Sequence, residues 1–499
     1  MLGSGGNAVD AAIAAIATQG MVAPETCGIG GDLFALVHRP GWEAPRALNA
    51  SGRAGSGATA ARIRDPASGT IGRHDPLSVT VPGCVDGWAK LSEELGRLSL
   101  ADCLAPAISH GIEGYEVSTE LAARFGEEAH VYARHPAVSE LYPDGLVVSP
   151  GDQIRRPALA RSLEAIADGG RDAFYQGRPA EDIVEELNGV ILIEDLAGDH
   201  AEWVSPISYP IGGLMAWTIP PNSQAYLGLA TLAIFEMMLP PDDPGHPDWW
   251  HFLIEAYRSV AWERNDVVAD ADHAPLPAHL LLDPDRLRRA AATIDRARTG
   301  IWPRTSAPSS TAYLCVVDHE GMAVSIIQSN FAGPGSHFGA RRSGFLLHNR
   351  GSGFTTTPGH PNEIRPGKRP RHTLSPTIWT DEERARLVLG TRGAALQPQI
   401  VAQMAARVVL AGIDVEAAQQ APRWTVPDFG PFSEARIEIE PGVAHAVVSD
   451  LRRRGHSIEE VTGPQSDWGP VSVIAIDPPA VAAAADPRVD TTRAVILPG

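Results

Sequence analysis

The chain has 499 residues, 44% hydrophobic and 20% charged, a balance that fits a soluble globular protein and excludes a disordered one. A formal net charge of −19 argues against nucleic acid or an anionic membrane surface as partner, and leaves a small-molecule pocket free to carry its own local charge. No apolar run is long and pure enough to span a bilayer and no secretory leader opens the sequence, so the expected location is cytoplasmic and no membrane partner is expected.

The first element is an Ala-rich helix over residues 7–19, with Val9, Ile13 and Ile16 near helical spacing and small residues that allow close packing on a sheet. The glycine-rich turn Gly28-Ile29-Gly30-Gly31-Asp32 leads into an apolar run at 33–37 that reads as a buried strand. From about 100 to 290 the pattern is mostly helical, with helices near 158–167, 180–187 and 249–260, broken by turns such as Pro220-Pro221-Asn222-Ser223.

After residue 311 the period changes to that of strands. Two of them, 314–317 and 323–327, are joined by the turn His319-Glu320-Gly321, and others fit 344–347, 386–389, 444–448 and 471–476, with a helix at 398–410. Strand pairs covered by helices suggest a layered helix–sheet–sheet–helix arrangement, a pattern that other mixed folds share.

Thr311 stands at the junction between the breaker-rich Thr305-Ser306-Ala307-Pro308-Ser309-Ser310 and the apolar Ala312-Tyr313-Leu314-Cys315-Val316-Val317. If the chain cut itself just before Thr311, the freed α-amine could serve as base for the threonine's own hydroxyl. Its unperturbed pKa of about 7.7–8.0 is close to what a general base needs.

Ordered matches along the whole sequence then identify a family. Gly5-Gly6-Asn7-Ala8-Val9-Asp10-Ala11-Ala12, Gly28-Ile29-Gly30-Gly31, Val81-Pro82-Gly83, Asp195-Leu196 and Pro220-Pro221-Asn222-Ser223 occur in order, as do His251, Glu255, Arg264 and Asp270. Val317-Asp318, Gly321, Ser375-Pro376-Thr377 and Asp486-Pro487-Arg488 follow. The sequence resembles the γ-glutamyltransferase family of N-terminal-nucleophile hydrolases. The resemblance implies a four-layer αββα sandwich, self-cleavage of a proenzyme before Thr311, and a heterodimer of the two fragments, 1–310 and 311–499, with higher oligomers left open. It implies glutathione-hydrolase, acyltransferase or amidohydrolase chemistry on a small-molecule amide, with Thr311 as nucleophile. The Thr and His that usually follow the nucleophile are Ala312 and Tyr313 here.

By the same resemblance Ser329 is the second hydroxyl that bonds the nucleophile. Gly393 and Ala394, in Gly390-Thr391-Arg392-Gly393-Ala394-Ala395, correspond to the paired-glycine turn that offers backbone N–H groups to an oxyanion. Ala in place of the second Gly keeps the donor and restricts φ. The loop that binds substrate in the family reads Leu347-His348-Asn349-Arg350-Gly351-Ser352-Gly353-Phe354, so the acidic residue that holds an α-ammonium is replaced by Gly353, and Asn349 and the cation Arg350 lie beside it. A guanidinium there repels an ammonium and attracts a carboxylate.

The family's paired serines are His372 and Thr373, and its carboxylate-binding arginine is nearest to Arg53, displaced by two positions. These departures, with Lys368-Arg369-Pro370-Arg371-His372-Thr373 and Gln397-Pro398-Gln399, resemble a side branch that includes oxamate-type amidohydrolases and acylases. The expected substrate is a small or acidic acyl amide with water as acceptor; the alternatives are an ordinary γ-glutamyl transferase and an uncut binding scaffold.

Cys27, Cys84, Cys103 and Cys315 show no CxxC spacing and read as buried thiols. His319, His337, His348, His360 and His372 fit no metal-ligand pattern, and neither a metal nor a cofactor is expected.

Overall fold

The structure, a computed structural model, describes residues 1–302, 310–427 and 436–497. The loop read at 305–309 lies outside the described residues. The strands that build the core are β1 (Asp32–His38), β2 (Arg46–Ala50), β3 (Glu202–Val204), β4 (Ile207–Ile211), β5 (Leu214–Thr218), β6 (Ser310–Val317), β7 (Ala323–Phe331), β8 (Thr377–Thr380), β9 (Ala385–Thr391), β10 (Val471–Asp477) and β11 (Ala480–Ala484). They form a five-stranded sheet ordered β3-β2-β1-β7-β6 and a six-stranded sheet ordered β11-β10-β9-β8-β5-β4. All neighbours within both sheets are antiparallel.

Side-chain alternation explains the layering. In β1 the side chains of Phe34 and Leu36 meet Ile378, Val388 and Ile476 of the other sheet. Leu33, Ala35 and Val37 point the other way, toward the helices α1 (Ala8–Val22), α2 (Cys84–Leu95), α3 (Leu100–Glu113) and α4 (Pro157–Tyr175). Every residue of β1 is buried, which is why its sequence shows an unbroken apolar run rather than alternation.

The outer face of the second sheet, with Trp379, Leu387 and Leu389, is covered by α5 (Tyr226–Met237), α6 (Pro247–Ala261) and α7 (Gln397–Ala405). The result is a helix–sheet–sheet–helix sandwich. Helix α1 begins with a capping box in which the Asn7 side chain accepts from Val9 and Asp10 N–H. Asp318, at the end of β6, accepts from the Ala8 N–H at 3.0 Å and ties that helix start to the sheet.

Three expectations change. Residues 444–448 are not a strand: the helix His445–Arg453 runs through them, because Val447, Val448 and Leu451 form a helical stripe that only the longer window reveals. The segment 344–347 contributes only the two-residue strand Phe345–Leu346, paired in a small sheet of its own. The stretch from 100 to 290, read as mostly helical, also supplies β3 and the hairpin β4–β5, turned at Gly212-Gly213. Cys27, Cys84 and Cys103 are buried free thiols, and Cys315 is half-buried.

The sheets approach closely where Gly390 of β9 faces Tyr313 of β6: a Cβ on Gly390 would overlap the Tyr313 ring. Gly390→Ala should therefore lower stability by about 1–3 kcal/mol, the usual cost of overpacking. Urea unfolding would show it, and an unchanged midpoint would mean that the sheets have slack there.

Candidate active site

Thr311 is the second residue of β6 and is fully buried. Ser310 pairs with Phe331 and Ala312 with Gln328, so two steps on β6 face three on β7. The extra residue is a bulge on β7, opposite Thr311, and bulges of this kind re-aim side chains next to sites. Here it brings Ser329 Oγ to 3.1 Å from Thr311 Oγ1. Ser329 Oγ also accepts the Phe331 N–H at 2.8 Å, which closes the bulge on itself and holds Phe331 at φ 75°. The glycine-rich turn lies against this point: a Cβ on Gly31 would meet the Ser329 carbonyl and the Asn330 side chain. Gln328, which accepts from Trp88 Nε1 at 3.1 Å and donates to Gly28 O at 3.0 Å, fixes β7 to α2 and to the same turn.

The turn that follows β9 carries Gly393 at φ 116° and Ala394 at φ 54°. A left-handed alanine costs about 1–2 kcal/mol. Gln224 stabilises it by donating Nε2 to Ala394 O at 2.8 Å and to Thr373 O at 3.2 Å. Neither the Gly393 nor the Ala394 N–H has a hydrogen-bond acceptor among the described residues. Arg392 borders both a cavity of about 180 Å³ beside Thr311 and a larger cleft of about 660 Å³ that includes Gly393. The turn thus lies between the surroundings of Thr311 and open space.

Arg350 is buried, its Cζ 3.4 Å from the centroid of the Phe331 ring, and its Nη1 donates to Thr373 Oγ1 at 3.2 Å. Among the described residues its Nε has no hydrogen-bond partner and its guanidinium no ion pair, and the Asp32 carboxylate attracts it only at longer range. Burial, and then the neighbouring Arg371 guanidinium, press against its charge. A Cβ on Gly353 would lie 2.9 Å from the Arg371 carbonyl oxygen and 3.0 Å from Arg350 Nη2, so that backbone and the guanidinium together occupy the space that a side chain at 353 would need.

Asn349 spends its side chain on the loop after the bulge: it accepts from Ala332 N–H and donates to Ala332 O and Gly335 O. His372 is buried and turned inward, with Nε2 3.2 Å from Asp32 Oδ2 and Nδ1 accepting from the Thr373 and Leu374 N–H groups. Arg53 stands apart. It ion-pairs with Asp270 at 3.3 Å and borders a cleft of about 320 Å³ that shares no residue with the Thr311 cavity.

The structure therefore brings Thr311 and Ser329 together directly, links Arg350 to the bulge through Phe331 and to Thr373, and places Arg53 elsewhere. Asp32 is the residue that sequence reading missed: fully buried at the start of β1, it accepts from Gly52 N–H and faces both His372 and His348. A carboxylate at the head of an otherwise apolar buried run was the available signal.

The αββα sandwich is the fold of the N-terminal-nucleophile hydrolase class, and it sets Thr311 near the start of β6. Within it, the profile of the gamma-glutamyltranspeptidase family matches residues 1–496, and the chain belongs to that family. It is 34% identical to the Glutathione hydrolase-like YwrD proenzyme of Bacillus subtilis (strain 168), over 98% of this chain and 94% of that protein. It is 31% identical to the Oxamate amidohydrolase proenzyme of Klebsiella pneumoniae, over 98% and 94% respectively. The crystal structure of cephalosporin acylase from Bacillus halodurans superposes with a TM-score of 0.91 at 31% identity, covering 100% of this chain and 93% of that one. The protein is an enzyme of the amidohydrolase and acyltransferase type, with the threonine nucleophile typical of its family.

The buried Asp32–His372 contact has a measurable signature. Burial lowers the His372 pKa to about 4 from an ordinary 6.5, even though Asp32 opposes the shift. Burial alone would raise Asp32, but His348 and His372 outweigh it and hold the carboxyl below its ordinary value. Between pH 6.5 and about 4 the unfolded chain binds more protons at His372 than the folded one, so this histidine makes stability fall as pH falls through that window. Melting curves should show Tm dropping across it, and His372→Gln should shallow the slope; an identical slope would remove His372 from the account.

Proposed function

We propose that the chain cuts itself between Ser310 and Thr311. The matured enzyme then hydrolyses amides whose small acyl group carries a carboxylate, through an ester on Thr311 Oγ1. The observation that supports this reading most is Arg350, a buried guanidinium with no contact ion pair among the described residues, attracted only at longer range by Asp32 and stacked on the Phe331 ring beside the bulge. A buried unpaired charge costs several kcal/mol, and a bound carboxylate offsets that cost.

In the maturation step Thr311 Oγ1 adds to the Ser310 carbonyl carbon, the amide nitrogen leaves as the α-amine of Thr311, and water hydrolyses the resulting ester. The free amine then accepts the hydroxyl proton when Thr311 attacks the substrate amide. Ser329 Oγ, 3.1 Å away, orients the nucleophile. The Gly393 and Ala394 N–H groups stabilise the developing oxyanion. The leaving amine takes the proton, and water releases the acid. The two fragments stay together as a heterodimer. The Bacillus subtilis and Klebsiella pneumoniae relatives are named as proenzymes, which supports processing, and they carry a glutathione hydrolase-like and an oxamate amidohydrolase name.

Gly353 argues against a γ-glutamyl substrate. The acidic partner expected for its α-ammonium is absent, and Arg350 fills the space. Steady-state kinetics on a γ-glutamyl anilide, oxamate and a glutaryl amide should show turnover of the acidic acyl amides and little of the γ-glutamyl compound; the reverse ranking would defeat the reading. Arg350→Gln should remove the buried charge and lower kcat/KM for the acidic amides about 100-fold, the scale of one charged hydrogen bond.

Thr311→Ala should leave a single uncut band on a denaturing gel and reduce turnover about 10³-fold or more. Ser329→Ala should still mature and lose about tenfold. A wild-type chain that stays whole after long incubation and turns over no amide would favour the binding scaffold.

A further inference from the structure

The substrate proposed above has to satisfy two places at once, with its carbonyl oxygen at the Gly393 and Ala394 N–H groups and its carboxylate at Arg350. A single side chain, in the loop between β5 and α5, bonds to the supports of both. Gln224 is fully buried. Its Nε2 donates to Ala394 O at 2.8 Å and to Thr373 O at 3.2 Å. Thr373 Oγ1 in turn accepts from Arg350 Nη1 at 3.2 Å. A continuous path of hydrogen bonds, Arg350–Thr373–Gln224–Ala394, therefore joins the cation to the turn.

The backbone that carries Gln224 is itself fixed. His372 N–H donates to Asn222 O at 2.7 Å, Gln224 N–H to His372 O at 3.0 Å, and Ser223 Oγ to Leu374 O at 2.5 Å. Asn222 and Ser223 are buried as well. Helix α5 begins two residues after Gln224, and α7 begins three residues after Ala394. These helices meet closely, since a Cβ on Gly228 of α5 would lie 3.2 Å from the Pro398 carbonyl oxygen of α7. The Gln224 amide thus spans a gap between two docked segments. Its Oε1 is buried without a hydrogen-bond partner, so the two carbonyls that accept from Nε2 are what orient the amide.

We infer that Gln224 is a positioning residue that sets specificity: it fixes the spacing between the oxyanion turn and Arg350, and so selects the length of the acyl chain between the amide carbonyl and the carboxylate. This rests on the hydrolysis of acidic acyl amides proposed above. A misplacement of about 1 Å can cost about 100-fold in rate, and a fitted pocket discriminates one methylene by about 10–200-fold. Gln224 bonds the turn through the Ala394 carbonyl and the Arg350 loop through the Thr373 carbonyl, so it acts on substrate only through these neighbours. Gln397 Oε1, which accepts the Ser375 N–H at 2.9 Å, ties the same two regions a second time. Loss of the Gln224 bonds should therefore loosen the spacing without parting the segments.

The test measures kcat and KM on oxalyl, malonyl, succinyl and glutaryl anilides, together with Tm and conversion of the chain to two bands. Wild type should prefer one length and lose about tenfold or more in kcat/KM for a methylene added or removed. Gln224→Met fills a similar space and removes both bonds; Gln224→Asn keeps the amide on a side chain one methylene shorter. In either variant that folds and matures, the preference between neighbouring lengths should shrink about threefold or more, chiefly through kcat. A smaller change in that preference, whatever the overall rate, assigns Gln224 a general structural role and overturns the inference while leaving the proposed hydrolysis intact. Failure of both variants to fold does the same, as does a wild type indifferent to acyl length. A wild type that turns over none of the four anilides, or only a γ-glutamyl anilide, overturns both readings.

Discussion

One local distortion organises the site: the bulge on β7 that faces Thr311. Regular antiparallel pairing would set Thr311 opposite a single partner and aim its side chain by the pleat alone. The additional residue instead places Ser329 Oγ against Thr311 Oγ1, and the same oxygen takes the Phe331 N–H. The bulge is held from three directions: by the glycine turn against Ser329, by Gln328 bridging to Trp88 and Gly28, and by Asn349 bracing residues 332 and 335. The positive φ of Phe331 is stabilised by these contacts rather than by sequence preference. It also turns the aromatic ring toward Arg350, so the geometry of the nucleophile and the location of the cation have a common origin.

Burial of charge is the second constraint. Asp32, His348 and His372 are all inaccessible and connect the head of β1 to the loops at 348 and 372. Since His372 Nδ1 accepts two backbone N–H groups, its proton resides on Nε2, directed at Asp32. A neutral histidine donating to a buried carboxylate fixes the neighbouring Thr373, which in turn accepts from Arg350. The substitution of the family's paired serines by His372 and Thr373 therefore reads as a change in how the Arg350 loop is supported. Arg350 and Gly353 belong to the same change, because the absent side chain at 353 is what lets the guanidinium lie where it does.

Much of this was legible in the sequence, and the reasons differ from place to place. Thr311 was visible because a breaker-rich loop meets an apolar strand at a hydroxyl residue. β1 and β7 were visible because strands covered on both faces are apolar throughout. The hairpin β4–β5 was lost because its residues are mixed: Tyr209, Met215 and Trp217 are only half-buried, and a proline interrupts the first strand. The helix at 445–453 was lost because two adjacent valines look like a strand until Leu451 and Asp450 are counted with them. The role of Asp32 could not be read at all, since the histidines that face it lie more than 300 residues away in sequence.

The way residues 1–310 and 311–499 interleave would keep the enzyme together after the proposed cut between Ser310 and Thr311, which would make them a large and a small fragment. In the first sheet β1, from the large fragment, pairs with β7, from the small one, along seven residues. In the second, β5 from the large fragment pairs with β8 from the small one. The inter-sheet core mixes Phe34, Leu36 and Ile219 with Ile327, Ile378 and Val388. Separating the fragments would expose that core and leave both sheets with unpaired edges, at a cost far larger than the single peptide bond can represent. The backbone linkage at 310–311 is thus mechanically redundant once the chain has folded. Under the proposed self-cleavage, this redundancy would allow the bond to be given up for an N-terminal amine on the buried Thr311.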